Sequence, residues 1–77
     1  MSIVLGKLKK GEKARILDIS RIDFFVRRRL LDLGITEGSE VSVKCFMPFG
    51  GPIMVEYCGQ CIGIRRIEAI QIEVERL

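Results

Sequence analysis

The sequence predicts a mainly β domain: a small five-stranded barrel, closed or nearly closed, with one α-helix inserted after the first strand and a short helical turn before the last. Three observations lead there. Short runs rich in isoleucine and valine recur between glycine and proline breaks. A single segment switches to a helical spacing of three to four. The chain has 77 residues, 48% of them hydrophobic, which suits one core and one domain over residues 1–77. At this size, closing the sheet would remove exposed strand edges that invite aggregation.

The first strand is expected over residues 13–19, after Gly11 ends a short apolar segment at residues 3–8. Residues 20–33 follow with Ile22, Val26, Leu30 and Leu33 at steps of four, four and three, which aligns one helix face. Ser20 suits the N-cap, with Asp23 near the positive end of the helix dipole. Gly34 suits the left-handed position just past the helix. Glu37-Gly38 forms a turn. Val41, Val43 and Cys45 then alternate with Ser42, Lys44 and Phe46, so the first three should face inward and Phe46 outward.

Pro48 to Pro52 interrupts pairing, because proline offers no ladder donor. A strand resumes over residues 53–58, and Gly59-Gln60 suits a two-residue type II′ turn that would set Cys58 opposite Cys61. Residues 61–65 return, Glu68-Ala69 makes a helical turn, and Ile70, Ile72 and Val74 form the closing strand. The expected core is Ile16, Val26, Leu30, Leu33, Val41, Val43, Val55, Ile62, Ile64, Ile70, Ile72 and Val74.

No apolar run approaches the roughly 20 residues that span a bilayer, and Ile3-Val4-Leu5 is too short a core for a signal peptide. A cytoplasmic protein is expected. The net charge of +3 is concentrated in Lys7, Lys9, Lys10, Lys13 and Arg15 and in the Arg27-Arg28-Arg29 run. Such a surface can attract an acidic protein, a lipid or a nucleic acid. A nucleic-acid reader interleaves stacking aromatics with basic residues, and here the phenylalanines lie far in sequence from the lysines, so no nucleic acid is expected. The chain has no histidine and no phosphate-cradling loop running into a helix, so no enzyme is expected either.

Several of these features recur in one order: Leu8 with Gly11, the Arg29-to-Ile35 block, Gly38, Pro48 with Pro52, Val55, Gly59, Ile64-Arg65 and Ala69. From Leu5 to Val74 this order resembles the FeoA family, small proteins that accompany the FeoB ferrous iron transporter. The resemblance implies an SH3-like barrel, similar to the C-terminal domain of iron-dependent transcriptional repressors. It also implies an accessory role in ferrous iron uptake through contact with the cytosolic part of FeoB, so that the protein meets the membrane only through that partner. It carries over no catalytic residue, and the three cysteines lie outside its pattern.

Two candidate sites follow from the residues themselves. Phe46, Met47, Phe49 and Met54 cluster around the proline loop, and apolar side chains on a loop rim can form a partner-binding surface; the alternative is a lid over one end of the barrel. Arg27 and Arg28 are expected to be exposed on the helix and to supply further partner contacts. The second candidate is Cys58-Gly59-Gln60-Cys61, which can serve as half of a zinc or iron site or as a redox pair; the alternative is two semi-exposed thiols without a role. Zinc takes four ligands, and three cysteines without histidine fall short. With Cys45 on the opposite face, only a transition metal shared between two molecules would complete four thiolates. A Cys58–Cys61 disulfide fits opposed strand positions, and a reducing cytosol opposes it.

Overall fold

Alternating isoleucines and valines turn toward one face of a single twisted sheet. The structure, a computed structural model, describes residues 2–77. Its elements in chain order are β1 (Ser2–Val4), a 3-10 turn (Leu5–Lys7), β2 (Lys13–Asp18), α1 (Phe24–Asp32), β3 (Glu40–Phe46), β4 (Ile53–Tyr57), β5 (Gln60–Ile64), α2 (Arg66–Ala69) and β6 (Glu73–Arg76). All pairings are antiparallel, in the order β1-β6-β2-β3-β4-β5.

Two expectations are corrected here. The sheet has six strands rather than five, and it does not close, because β1 and β5 remain at its two edges. The extra strand, β1, is three residues long and pairs Ile3 with Val74. So short a segment has no alternation to betray it. Extents of 26 × 25 × 23 Å show how strongly the open sheet coils. Its β5 edge is partly covered by α1, whose Arg29 Nη2 donates to the Gly63 carbonyl at 3.3 Å.

The helix begins later than its apolar spacing suggests. Ser20 N–H donates to the Asp18 carboxylate, closing a turn, and Asp23 is the N-cap, accepting from Phe25 N–H at 3.0 Å. The C-terminal end forms a Schellman motif: Gly34 N–H donates to Leu31 O and Ile35 N–H to Leu30 O. Gly34 has φ +91°, the conformation expected of it. The motif turns Ile35 back onto Leu30, both fully buried. Ile35 thus occupies the core position assigned to Leu33, which becomes the exposed C-cap.

The core includes Ile16, Leu30, Val41, Val43, Val55, Ile62, Ile64, Ile72 and Val74, with Val26 packed half-buried against it. Ile70 does not join it. The backbone there continues the α2 turn, Ile70 N–H donating to Arg66 O, and the side chain faces solvent. Leu5, Leu8, Ala14, Ile19, Ile22, Ile53 and Ala69 complete the buried set. Leu5 opens the 3-10 turn and Leu8 caps it, and Leu5 N–H donates to Ile72 O at 2.8 Å, so the N-terminal segment is part of the core.

Polar links fasten the perimeter. Glu12 accepts from Lys9 N–H at 2.7 Å and from Arg76 Nε at 3.0 Å. The backbone hydrogen bond from Lys9, with Arg76 adding to it, holds its carboxyl below the ordinary 4.5. Asp18 is held below its ordinary 3.8, chiefly by hydrogen bonds from Ser20. A group whose pKa falls on folding adds stability above its unfolded value and loses that contribution as pH falls through the folded one.

Two predictions follow from this framework. Gly34→Ala forces a Cβ into a left-handed position with Tyr57 Cε2 only 3.4 Å away, and should lower urea-unfolding stability by about 1–2 kcal/mol. On acidification, the denaturation midpoint should hold near neutral pH and decline below pH 4.5, the ordinary Glu12 value. Glu12→Gln should flatten that decline.

Candidate protein-interaction site

The proline loop takes its shape from an irregularity in the strand before it. Between β3 and β4 the register runs Val43 opposite Val55 and then Cys45 opposite Met54, so Lys44 is an extra residue, a β-bulge. Alternation reverses past the bulge. Cys45 joins Met54 on the outer face, and Phe46, paired with the buried Ile53, packs against the core. The expectation that Cys45 faces inward and Phe46 outward is therefore corrected. Lys44 extends to Glu56, Nζ to Oε1 at 3.0 Å, and this hydrogen bond and charge raise its pKa above the ordinary 10.5.

After Phe46 the chain closes a four-residue turn, Gly51 N–H donating to Pro48 O at 3.1 Å, with Met47 N–H donating to Pro52 O at 3.0 Å beneath it. Its two central residues, Phe49 and Gly50, have φ of +59° and +74°, which is a type I′ turn. Phe49 is 103% exposed at the tip, and Met47 is 41% exposed at the shoulder. A large aromatic in a conformation that costs a non-glycine residue about 1–2 kcal/mol, and left without a buried contact, contributes nothing visible to folding. Met54 sits half-buried between Cys45 and Gly63 on the outer face of the sheet.

Arg66 holds this turn from the opposite side of the chain. Its Nε donates to Gly51 O at 2.8 Å and its Nη2 to Met47 O at 3.0 Å. Its guanidinium lies over the Phe46 ring, 5.7 Å from the centroid.

A second apolar surface lies on α1. Arg27 and Arg28 share a shallow groove of about 280 Å³ with Phe24 and Leu31. Phe24 and Phe25, edge-to-face at 5.5 Å, are exposed, and Arg28 approaches Asp32 at 3.8 Å. The two phenylalanines belong to the candidate surface and are not among the residues expected there from the sequence. They lie off the Val26–Leu30 stripe, and that signal was available.

The cysteines do not gather. β4 and β5 pair Ile53 with Ile64, Val55 with Ile62 and Tyr57 with Gln60, so the turn is Cys58-Gly59 and not Gly59-Gln60. Cys58 has φ +50° and Gly59 φ +82°, making a type I′ turn in place of the expected type II′. The apolar pairs decide it: setting Cys58 opposite Cys61 would put Ile53 across from Arg66. Cys61 instead faces Glu56, and both thiols are exposed. Among the described residues no three Cys, His, Asp or Glu side chains converge as a metal site.

Comparison with known proteins agrees with this architecture. A model of the FeoA domain matches residues 3–76. The chain belongs to the FeoA family. The FeoA protein of Chlorobium tepidum shares 39% identity over 97% of this chain and 70% of its own, with a TM-score of 0.90. A FeoA-like protein of Clostridium acetobutylicum shares 32% identity over 99% of this chain and 87% of its own, at 0.82. A manganese-dependent transcriptional repressor, 24% identical, contains the same fold: the chain covers 42% of it, at 0.85. None of the curated proteins compared matches. FeoA family membership brings an SH3-like fold, a link to iron transport and a small accessory domain with no known enzyme activity.

The β4–β5 turn offers a direct check on the corrected register. Asparagine tolerates a left-handed first position far better than cysteine. Cys58→Asn should raise stability by roughly 0.5–1 kcal/mol in chemical denaturation. A loss of stability would contradict the turn type.

Proposed function

We propose that this FeoA-family protein is a non-catalytic, cytoplasmic accessory module of ferrous iron uptake, which binds the cytosolic part of the FeoB transporter and modulates it. One observation carries the reading: Phe49 stands fully exposed on a left-handed turn whose backbone is closed by its own hydrogen bonds. An aromatic held rigidly in water has the properties of an interface anchor, since burying it in a partner's pocket releases apolar surface at little entropic cost. Met47 widens the apolar contact, and Arg27 and Arg28, with Phe24 and Leu31, supply a second patch. The iron-transport link of the family supports the choice of partner.

No helix among the described residues is long and apolar enough to cross a membrane, and the proposed contact is with a soluble portion of the transporter. The test is calorimetric titration with the soluble cytosolic domain of FeoB. Phe49→Asp should weaken binding at least tenfold, the scale of an interface hot spot at about 2 kcal/mol, with an unchanged thermal unfolding profile. Native affinity in this variant, or its failure to fold, would overturn the assignment.

A further inference from the structure

We propose that Arg66 is a positioning residue for binding: it acts on the partner through Phe49, by locking the Pro48–Gly51 turn in its binding conformation. This rests on the reading of Phe49 as a docking anchor. Among the described residues, the two hydrogen bonds from Arg66 are the only side-chain hydrogen bonds to residues 47–52. They are well placed for the task, because the carbonyls they hold, Met47 O and Gly51 O, lie on either side of Phe49. One planar fork therefore fixes both legs of the turn at once.

The base of the fork is anchored in the core. Arg66 is the first residue of α2, whose buried Ala69 packs beside Gly6 and whose buried Glu68 accepts from Arg65 N–H at 3.1 Å. The guanidinium face rests over Phe46, which packs against the core. The turn has little slack beneath the fork, since a Cβ on Gly51 would lie 2.9 Å from Met47 Cβ. Without the fork, a loop with two adjacent glycines would be held only by its two backbone hydrogen bonds and would sample more conformations, which binding would have to narrow. With the fork, that ordering is complete before the partner arrives. A lysine would supply charge without the paired, planar donors.

A double-mutant cycle tests this, using the soluble cytosolic domain of FeoB as ligand and Arg66→Met with Phe49→Asn, which tolerates the left-handed position without adding charge. Arg66→Met should weaken binding on the order of tenfold and increase the nanosecond mobility of the Gly50 amide in 15N relaxation, while unfolding stays cooperative. In the Phe49→Asn background the same substitution should change affinity by less than about twofold, because its effect runs through the absent ring. Arg66→Lys should recover only part of the affinity. An equal loss in both backgrounds would overturn the proposal in favour of a direct or purely structural role, as would an unchanged Gly50 amide. Weakened binding by Phe49→Asn with none by Arg66→Met would overturn the positioning role alone. Native affinity in Phe49→Asn would overturn the docking reading beneath it.

Discussion

The extra residue at Lys44 is the constraint on which the interaction surface depends. A strand with regular alternation would carry Phe46 to the wet face and Cys45 to the core. The bulge reverses this, so that Phe46 packs inward opposite Ile53 and its ring becomes a platform for Arg66. The guanidinium laid on that ring reaches Gly51 and Met47, and the turn between them projects Phe49 into solvent. A ladder irregularity, an aromatic platform, an arginine fork and a strained turn thus form one mechanical series. Lys44 itself is used on the outer face, where it meets Glu56.

The rest of the fold presents this series from a firm base. The Schellman end of α1 puts Ile35 against Leu30, and Tyr57 Oη donates to Gly34 O at 2.9 Å, joining the helix end to β4. At the other side, Leu5 and Leu8 bring the N-terminal segment under the sheet, while β1 extends it beyond β6. Two strand edges survive, and both are managed by cheap means: β1 is only three residues long, and β5 receives a hydrogen bond from Arg29. The perimeter ion pairs are exposed, and such pairs contribute little to stability. The buried isoleucines, leucines and valines bear most of the stability.

Much of the candidate surface was legible before the structure. The proline-bounded loop with its Phe and Met side chains stood out by composition, and Met47 and Phe49 are exposed there. Arg66 did not stand out. Nothing in a local window joins an arginine after β5 to carbonyls fifteen and nineteen residues earlier. The expected opposition of Cys58 and Cys61 failed for a related reason. A Cys-x-x-Cys spacing says which residues are near in the chain, and the hairpin register decides which of them face one another.

The sequence by itself determined the element types and most of the core. Period-two alternation, the stripe of Ile22, Val26 and Leu30, the glycine after the helix and the prolines of the loop are signals read within a dozen residues. It also carried the family, because glycines and apolar residues in a fixed order record turns and burial that the fold requires. The tertiary structure decided the rest: the sixth strand, the open sheet, the bulge, the turn at Cys58-Gly59 and the exchange of Leu33 for Ile35. Each is a choice between local arrangements of nearly equal energy. Those choices are settled by contacts between segments remote in the chain, such as Ile53 with Ile64 or Ile3 with Val74.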